Sequence, residues 1–292
     1  MKTNQIFTLF IFSLLIVFFT ESCINTKPVL RTENLPPDFV PVKHLIFIGL
    51  DGWGGAYVPS AKMPTVKKIM TNGAWSIDTL NVMPSKSWPN WTSLFYGTPP
   101  EQRNEDKFSS IFTLIKNNNQ TKKSVLFYEW DEMQKICPDE SAEKQVIFSD
   151  LESAKKVASY IKEQKPVFAA VVFNEPDVVG HAKRWGSAEY YAKLTEMDSL
   201  VAVIEQAVKD AGIYDSTVFV LSADHGGSGY GHESNTPKRR KIPLIFYGSG
   251  IKQGFAIPSP VSICDIAPTM TALLGMDIPA EWTGRLLYEI FK

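Results

Sequence analysis

Six side chains that can bind divalent metals follow three apolar segments of this sequence: Asp51, Asp177, His181, Asp224, His225 and His232. The sequence has only 4 histidines, and three of them belong to this set. Six such ligands are too many for one tetrahedral site and suit two neighbouring ones. A structural zinc site would be closed and usually rich in cysteine, which this set is not. The set therefore favours a two-metal centre over six unrelated polar strand ends.

Two metal ions about 3.5–4 Å apart can clamp the attacking and leaving oxygens of an in-line displacement at phosphorus. Such a reaction needs a nucleophile, and segment 84–93 supplies serine and threonine hydroxyls ahead of a short helix predicted at 90–97. The amino end of that helix would favour an incoming phosphate. Some of these serines are expected to be ordinary turn and cap residues.

The elements that must position these residues alternate between strands and helices. Apolar runs at 44–50, 166–174 and 217–221 predict buried strands that each lead into an acid. Further strands are predicted at 124–128 and 242–247, and helices at 64–72, 108–118, 150–163, 188–211 and 266–274. This alternation predicts an α/β fold with a doubly wound, mostly parallel sheet sandwiched by helices. Because ligands bind beyond the carboxyl ends of such strands, the acids are expected to meet at one edge.

The charge balance limits the classes of partner. The 30 basic and 31 acidic residues give a net charge of -1, which argues against duplex nucleic acid held on a basic surface. An anionic substrate must therefore find positive charge locally, at metals or at a few side chains. The basic run Lys238-Arg239-Arg240-Lys241 is more typical of a solvated loop than of an anion site. Nothing in the sequence indicates an oligomeric state.

The amino terminus predicts export. A basic start and an apolar run at 6–19 are typical of a signal peptide, which we place at residues 1–22. Cys23 follows a small residue, as in bacterial lipoproteins, and ordinary cleavage nearby is the alternative to lipidation. Residues 23–42 are predicted to be a tether and residues 43–292 the catalytic domain. We expect a periplasmic or outer-membrane lipoprotein that contacts the membrane only through this lipid anchor.

The two remaining cysteines, Cys137 and Cys264, lack the C-x-x-C spacing of thiol metal sites and redox motifs. In an oxidising compartment they could form one disulfide. Two buried free thiols are the equal alternative.

Four motifs occur in chain order: Leu50-Asp51-Gly52, a serine-rich stretch at 85–90, E-P-D-x-x-G-H at 175–181, and D-H-G-G at 224–227 with His232. Together they resemble the type I phosphodiesterase/nucleotide pyrophosphatase family of the alkaline phosphatase superfamily. The resemblance spans most of the mature chain. It implies an alkaline phosphatase-like domain that acts on small phosphate esters or nucleotides.

The resemblance also implies metal ligands, residue by residue. One ion would be held by Asp51, Asp224, His225 and Ser87, and the other by Asp177, His181 and His232. Mixed histidine and aspartate ligation favours zinc, with manganese as the alternative. Ser87 would also be the nucleophile, at a position where nucleotide pyrophosphatases usually carry threonine and alkaline phosphatases carry serine.

For the substrate, the resemblance points to residues near Ser87. Trp88 stands where these enzymes place an aromatic that stacks on a nucleobase. Asn104 is the candidate donor to a phosphoryl oxygen, although the family's usual His-Gly after Pro-Glu is missing there, and Asn90 competes with it. Arg103 is a neighbouring cation.

The sequence thus predicts a two-metal phosphoric ester hydrolase acting through a phosphoseryl intermediate, a phosphodiesterase or nucleotide pyrophosphatase. The alternatives are a phosphomonoesterase of the same superfamily and a non-catalytic metal-binding surface lipoprotein. A Ser-His-Asp hydrolase is disfavoured because no G-x-S-x-G elbow exists. Arylsulfatases of the same superfamily need a cysteine or serine in a C-x-P-x-R setting, which the chain lacks. Phosphoglycerate and phosphopentose mutases carry a large inserted domain, for which the Ser87–Asp177 interval is too short.

Overall fold

A computed structural model describes residues 35–103, 109–118, 123–137 and 140–292. Eight strands form one sheet: β1 (His44–Leu50), β2 (Ala74–Leu80), β3 (Ser124–Tyr128), β4 (Glu143–Val146), β5 (Phe168–Phe173), β6 (Thr217–Ser222), β7 (Lys241–Gly248) and β8 (Phe255–Ala256). Their order is β4-β3-β5-β1-β6-β7-β2-β8. Only β7 runs against its two neighbours among these strands, since every other pairing is parallel.

Helices flank this sheet: α1 (Pro64–Thr71), α2 (Ser87–Tyr96), α3 (Ile111–Asn118), α4 (Leu151–Gln164), α5 (Asp177–Lys183), α6 (Ala188–Asp210), α7 (Pro237–Arg240) and α8 (Ile266–Leu273). Helices α1, α4 and α5 contact α6, whereas α3 and α8 contact α2, so seven of these eight helices form two groups, and α7 contacts β7. The predicted α/β fold with a mostly parallel sheet between helices is confirmed.

The central strands form the core. Strands β5 and β6 are buried along their whole length, and β1 is buried from its second residue onward. Gly49 in β1 allows α2 to pack closely, because a Cβ there would lie 2.6 Å from the ring of Trp91. That close packing brings the first turn of α2 to the carboxyl end of β1.

Several elements differ from the sequence-based prediction. Strands β2, β4 and β8 and helices α5 and α7 were not predicted. Strand β4 is a polar edge strand whose four residues are mostly exposed, so it lacks the apolar pattern on which such a prediction depends. Helix α2 begins at Ser87, three residues before the predicted start, with Lys86 in extended conformation at its N-cap.

The predictions for residues 1–22 and for Cys23 lie outside the described residues, as do Phe108 and most of the tether. Among the residues that are described, no helix is both long and apolar enough to cross a membrane. Cys137 and Cys264 are both buried and unpaired, so the alternative of a disulfide between them is wrong.

Candidate metal centre

The parallel register of three strands brings two of the acids together. Leu50 at the end of β1 pairs with Phe173 of β5, and Gly49 pairs with Ser222 of β6. Continued past the strand ends, the same register sets Asp51 level with Asp224 on the neighbouring chain segment. The Gly52 amide then donates to Asp224 Oδ1 at 3.1 Å and ties the two segments to each other.

A third acid reaches the same edge through α5. The Asp177 amide donates to the Asp51 carbonyl at 3.0 Å, and Asp177 is the first residue of the helix. His181 lies four residues further on and therefore on the same helical face. Its Nε2 is 3.6 Å from Asp177 Oδ2.

All three histidines use Nδ1 for a backbone carbonyl. The acceptors are Tyr230 O for His181 at 2.9 Å, Gly226 O for His225 at 3.0 Å and Ser85 O for His232 at 2.6 Å. A carbonyl only accepts, so these contacts assign the proton of each neutral ring to Nδ1. Each Nε2 keeps its lone pair, as in a metal-ligating histidine whose other nitrogen is fixed by an outer partner.

The carboxylates carry unsatisfied oxygens. Asp51 Oδ1, Asp177 Oδ1 and Asp224 Oδ2 are buried and have no hydrogen-bond partner among the described residues. From His225 Nε2 they lie 3.5, 3.9 and 3.3 Å away, respectively. Buried polar atoms are rarely left unpaired, because the lost hydration is costly. Three of them around one imidazole nitrogen fit the donor set of a divalent cation.

The shifted pKa values of these residues also favour a bound cation. Burial, followed by repulsion from Asp224 and Asp177, holds the pKa of Asp51 well above its usual value. Burial likewise raises the pKa of Asp177 and raises that of Asp224 to about 6. Burial, with the nearby His232, lowers the pKa of His225 to about 3. The pocket thus disfavours its own charges, a cost that a bound cation would offset.

Two ligand groups can be distinguished by exposure. The buried group comprises Asp51, Asp224 and His225, whose side chains are at most 6% exposed. The exposed group comprises Asp177, His181 and His232, where the His181 side chain is 46% exposed. Donor atoms of the exposed group lie within 4.8 Å of one another, as do those of Asp51, Asp177 and His225. Asp177 thus borders both groups, and the His225 and His232 rings stack 3.8 Å apart between them.

Ser87 lies beside the buried group. Its Oγ is 3.2 Å from His225 Nε2, and it is the first residue of α2. Trp91, one helical turn later, donates from Nε1 to Asp51 Oδ2 at 3.1 Å and anchors the helix against the acid. The hydroxyl therefore sits at a helix amino terminus, which favours negative charge, next to unsatisfied carboxylate oxygens.

Of the substrate residues predicted from the sequence, Asn90 has another role. Its amide accepts from Val82 N at 2.8 Å and donates to the carbonyls of Val82, Pro84 and Lys86. The side chain is fully buried and holds the loop ahead of α2. The N–H groups of the amide are engaged by these carbonyls, so the structure does not present them to a substrate.

Arg103 contacts the opposite end of α2 from Ser87. Its guanidinium lies 4.6 Å from the ring of Tyr96, the last residue of α2. Ser87 is the first residue of that helix, so roughly 13 Å of helix axis separates the two ends at about 1.5 Å per residue. Arg103 is not among the residues that line the cleft beside Ser87, and Asn104 lies outside the described residues.

The cleft beside Ser87 has lining residues that the sequence analysis missed. It measures about 140 Å³, and its lining comprises Asp51, Ser87, Trp130, Asn174, Asp177 and Val178. Trp88 is not part of this lining but packs edge-on against Trp130, with ring centroids 6.4 Å apart. Trp130 follows β3 and Asn174 follows β5. Asn174 is a polar residue at the carboxyl end of a predicted strand, which was the signal that could have found it.

A family model described as type I phosphodiesterase/nucleotide pyrophosphatase matches residues 45–103 and 113–237. Among curated proteins, GPI ethanolamine phosphate transferase 1 of Emericella nidulans is 23% identical over 352 residues, covering 96% of this chain. Arylsulfatase K of Danio rerio is 34% identical over 110 residues, covering 36% of this chain. The chain spans 38% of the length of the fungal protein and 21% of that of the fish protein.

A solved structure has a similar fold. Murine ectonucleotide pyrophosphatase/phosphodiesterase 5, in an inactive variant in complex with AMP, superposes with a TM-score of 0.68. The superposition covers 86% of this chain and 100% of that chain at 12% sequence identity. Similarity at this identity is evidence for the fold alone.

Proposed function

This chain belongs to the type I phosphodiesterase/nucleotide pyrophosphatase family, and we propose that it is a two-metal phosphodiesterase acting through a phosphoseryl intermediate. Members of the superfamily are hydrolases or phosphoester transferases. The observation that carries the proposal is the position of Ser87, 3.2 Å from His225 Nε2 and next to three carboxylates with unsatisfied oxygens. A lone structural metal site would not need a hydroxyl there.

The two ligand groups divide the proposed metal binding. Asp51, Asp224, His225 and Ser87 would hold one ion, and Asp177, His181 and His232 the other. Two nitrogen ligands in the exposed group favour zinc over magnesium, which prefers oxygen ligands and keeps several waters. When bound, the ions would lower the pKa of the Ser87 hydroxyl and neutralise charge on the phosphoryl group.

The protein's own residues would act in two displacements. Ser87 Oγ attacks phosphorus as the bond to the leaving alcohol or phosphate breaks, which gives phosphoserine. A water molecule then attacks the same phosphorus, the bond to Ser87 Oγ breaks, and the product leaves with the new oxygen. The amino terminus of α2 stabilises the negative charge in both steps, and Trp91 keeps Asp51 in place throughout.

The lining of the cleft favours diesters over monoesters. The part of it that the structure describes contains no lysine or arginine to meet the extra charge of a monoester dianion. Lys86, next to Ser87, is exposed and pairs with Glu233 at 3.1 Å. Trp130 and the exposed Val178 offer an apolar wall for the second organic group of a diester.

The test is a comparison of kcat/KM for bis-p-nitrophenyl phosphate, p-nitrophenyl phosphate and p-nitrophenyl sulfate on zinc-loaded protein. We expect the diester to be the best substrate and the sulfate ester the poorest. Trp130→Ala should lower kcat/KM for the diester about tenfold or less and leave the monoester nearly unchanged, since aromatic contacts contribute about 0.5–1.5 kcal/mol. A monoester preference that Trp130→Ala does not alter would contradict the proposal.

A second candidate activity is phosphoryl transfer to an alcohol. The match to the fungal ethanolamine phosphate transferase, which covers 96% of this chain, favours it. The same phosphoserine would then be resolved by an acceptor hydroxyl instead of water. Adding ethanolamine or glycerol to the diester assay distinguishes the two: a transferase forms the new phosphodiester in proportion to acceptor, whereas a hydrolase releases the monoester.

We also propose that the protein is a periplasmic or outer-membrane lipoprotein of a bacterium, anchored through Cys23. The support is the sequence of the amino terminus. Incorporation of labelled palmitate in the bacterial host, lost in Cys23→Ser, tests it; label retained in that variant would contradict it.

A further inference from the structure

The basic run that follows His232 is more ordered than its composition predicts. Lys241 pairs with Asp78 at 2.8 Å, and Arg240 donates to the Asn81 carbonyl at 2.6 Å. Arg239 is half-buried and makes three hydrogen bonds through its guanidinium. The expectation of a solvated loop is therefore wrong for these three residues, and only Lys238 fits it.

We infer that Arg239 is a positioning residue for the exposed ligand group. This inference rests on the proposed metal site, although it does not depend on the substrate. Arg239 Nε donates to Ser228 Oγ at 2.9 Å, Nη2 to Ser228 O at 3.0 Å and Nη1 to Ser234 Oγ at 2.6 Å. One side chain thus fastens both ends of segment 228–234, which we name the histidine loop.

The histidine loop fixes two ligands of the exposed group. It carries His232, and its Tyr230 carbonyl accepts from His181 Nδ1 at 2.9 Å. His232 Nδ1 in turn donates to Ser85 O, and Ser85 Oγ donates to the Arg239 carbonyl at 3.1 Å. Displacing the loop would therefore move one imidazole and free the other to rotate.

The chemistry of these contacts requires arginine. Among the described residues the guanidinium has no carboxylate partner, so its charge-assisted bonds all go to neutral oxygens of the histidine loop. A lysine ammonium is a point donor and cannot reach both ends of the loop as a planar fork does. Among the described residues, the hydrogen bonds of the Arg239 side chain go to Ser228 and Ser234 and none to the buried ligand group. Next to that group, Gly226 N donates to the Arg239 carbonyl at 2.9 Å, a backbone contact that a side-chain substitution retains.

The inference predicts that substitution of Arg239 lowers the metal affinity of the exposed group and not that of the buried group. Arg239→Gln should weaken Zn²⁺ binding to the exposed group about tenfold, the lower end of the loss expected for a direct outer partner of a metal ligand, because Arg239 acts one contact further out. Binding to the buried group should change less than about threefold, and Arg239→Lys should fall between wild type and Arg239→Gln. Lys238→Gln is the matched control, since it removes the same charge from the adjacent exposed position and should bind as wild type does.

The experiment is calorimetric titration of metal-free full-length protein with Zn²⁺ alone, supported by chelator competition. His181→Ala removes a ligand of the exposed group and provides the reference. In that background, adding Arg239→Gln should leave the remaining high-affinity binding unchanged. Far-UV circular dichroism and melting temperatures in EDTA show whether each variant is folded, and Arg239→Lys carries the test if Arg239→Gln is not.

Three results would overturn the inference: unchanged affinity of the exposed group in Arg239→Gln and Arg239→Lys, equal weakening of both groups, or an equal effect of Lys238→Gln. None of these measurements uses a phosphate ester. The inference on Arg239 can therefore fail while the phosphodiesterase proposal stands, and the reverse.

Discussion

The two ligand groups of the candidate metal centre are built in different ways. Asp51, Asp224 and His225 follow adjacent buried strands, and backbone register together with one Gly52–Asp224 hydrogen bond sets their spacing. The exposed group instead combines a short helix with the histidine loop. Its geometry depends on hydrogen bonds between segments far apart in sequence, such as His232 to Ser85.

This difference shows how each ligand group is held in its geometry. Strand ends in a packed sheet move little, because moving them would disturb the core. A loop held by a few partly exposed hydrogen bonds opens locally at much lower cost. We therefore expect the buried group to be a permanent metal site and the exposed group to be the half that exchanges its ion. The following experiments test that contrast, from the largest expected effect to the smallest.

Ser87→Ala should have the largest effect. Removing the nucleophile should lower kcat for a phosphodiester by about 10³-fold or more, as for other activated serine nucleophiles. Zinc content should remain near that of wild type, because the carboxylates and histidines of both groups are retained. The measurements are steady-state kinetics and metal analysis after gel filtration. Near-native turnover would show that phosphoserine is not an intermediate.

Removing one ligand from each group in turn should show directly that the two groups differ in how firmly they hold metal. We expect His181→Ala to lose one ion and keep the other within a few-fold of its wild-type affinity. Asp224→Ala should lose the buried ion and also weaken the exposed one, because it leaves the Gly52 amide without its acceptor beside Asp177. Chelator titration of wild type should release the exposed ion first. Release of both ions together would contradict the contrast.

The effect of Asp51→Asn on stability should change sign when metal is bound. In EDTA at pH 8 the variant should be more stable than wild type, because burial and two neighbouring acids raise the pKa of Asp51 and disfavour its charge. Each unit of that shift is worth about 1.4 kcal/mol. Since the folded-state pKa exceeds the unfolded one, wild type recovers this stability as the pH falls through the folded pKa, and the difference should shrink at pH 5.

Melting temperatures of both proteins in EDTA and in zinc measure this. With zinc bound, the variant should instead melt below wild type. Asp78→Asn serves as the control, since Asp78 is a half-exposed partner of Lys241 and should show neither change. A metal-free Asp51→Asn that melts lower than wild type at pH 8 would mean that the carboxylate's hydrogen bond to Trp91 outweighs the repulsion.

Much of the site's location could be predicted from the sequence, because Asp51, Asp177 and Asp224 each follow an apolar run that could only be a buried strand. Parallel strands end at one edge, so the acids had to meet there. Their roles as metal ligands stay a prediction. The roles given to Asn90 and Arg103 also stay predictions, because proximity in sequence to Ser87 does not fix where a side chain points.

What the sequence could not indicate depends on contacts between distant segments. The carbonyls of Ser85 and Tyr230 orient His232 and His181, yet any residue supplies a carbonyl, so no residue type marks these positions. Arg239 acts through a loop conformation that composition does not encode. Trp130 follows a predicted strand, but tryptophan is so common in cores that its place in the cleft could not be inferred.

The smallest expected effect concerns Trp185, where the two groups join. Its Nε1 and the Tyr190 hydroxyl both donate to the Gly52 carbonyl at 2.9 Å, and Gly52 N holds Asp224. The indole also packs edge-on against His181, with ring centroids 4.9 Å apart. Trp185→Phe removes the N–H and retains an aromatic ring at His181, so the buried group should lose more than the exposed one.

Because Tyr190 still donates to Gly52 O, we expect a loss of only about 1 kcal/mol, or roughly fivefold in zinc affinity of the buried group. Tyr190→Phe is the companion variant and should cost somewhat more, because the Tyr190 hydroxyl also accepts from Gly54 N at 3.4 Å. The double variant leaves the buried carbonyl unpaired and should cost more than the sum of the two, because the desolvation penalty appears only when both donors are gone. Chelator competition measures all three. If Trp185→Phe weakened the exposed group instead, ring packing on His181 would be the dominant contact, and the two groups would be coupled through Trp185 rather than through Gly52.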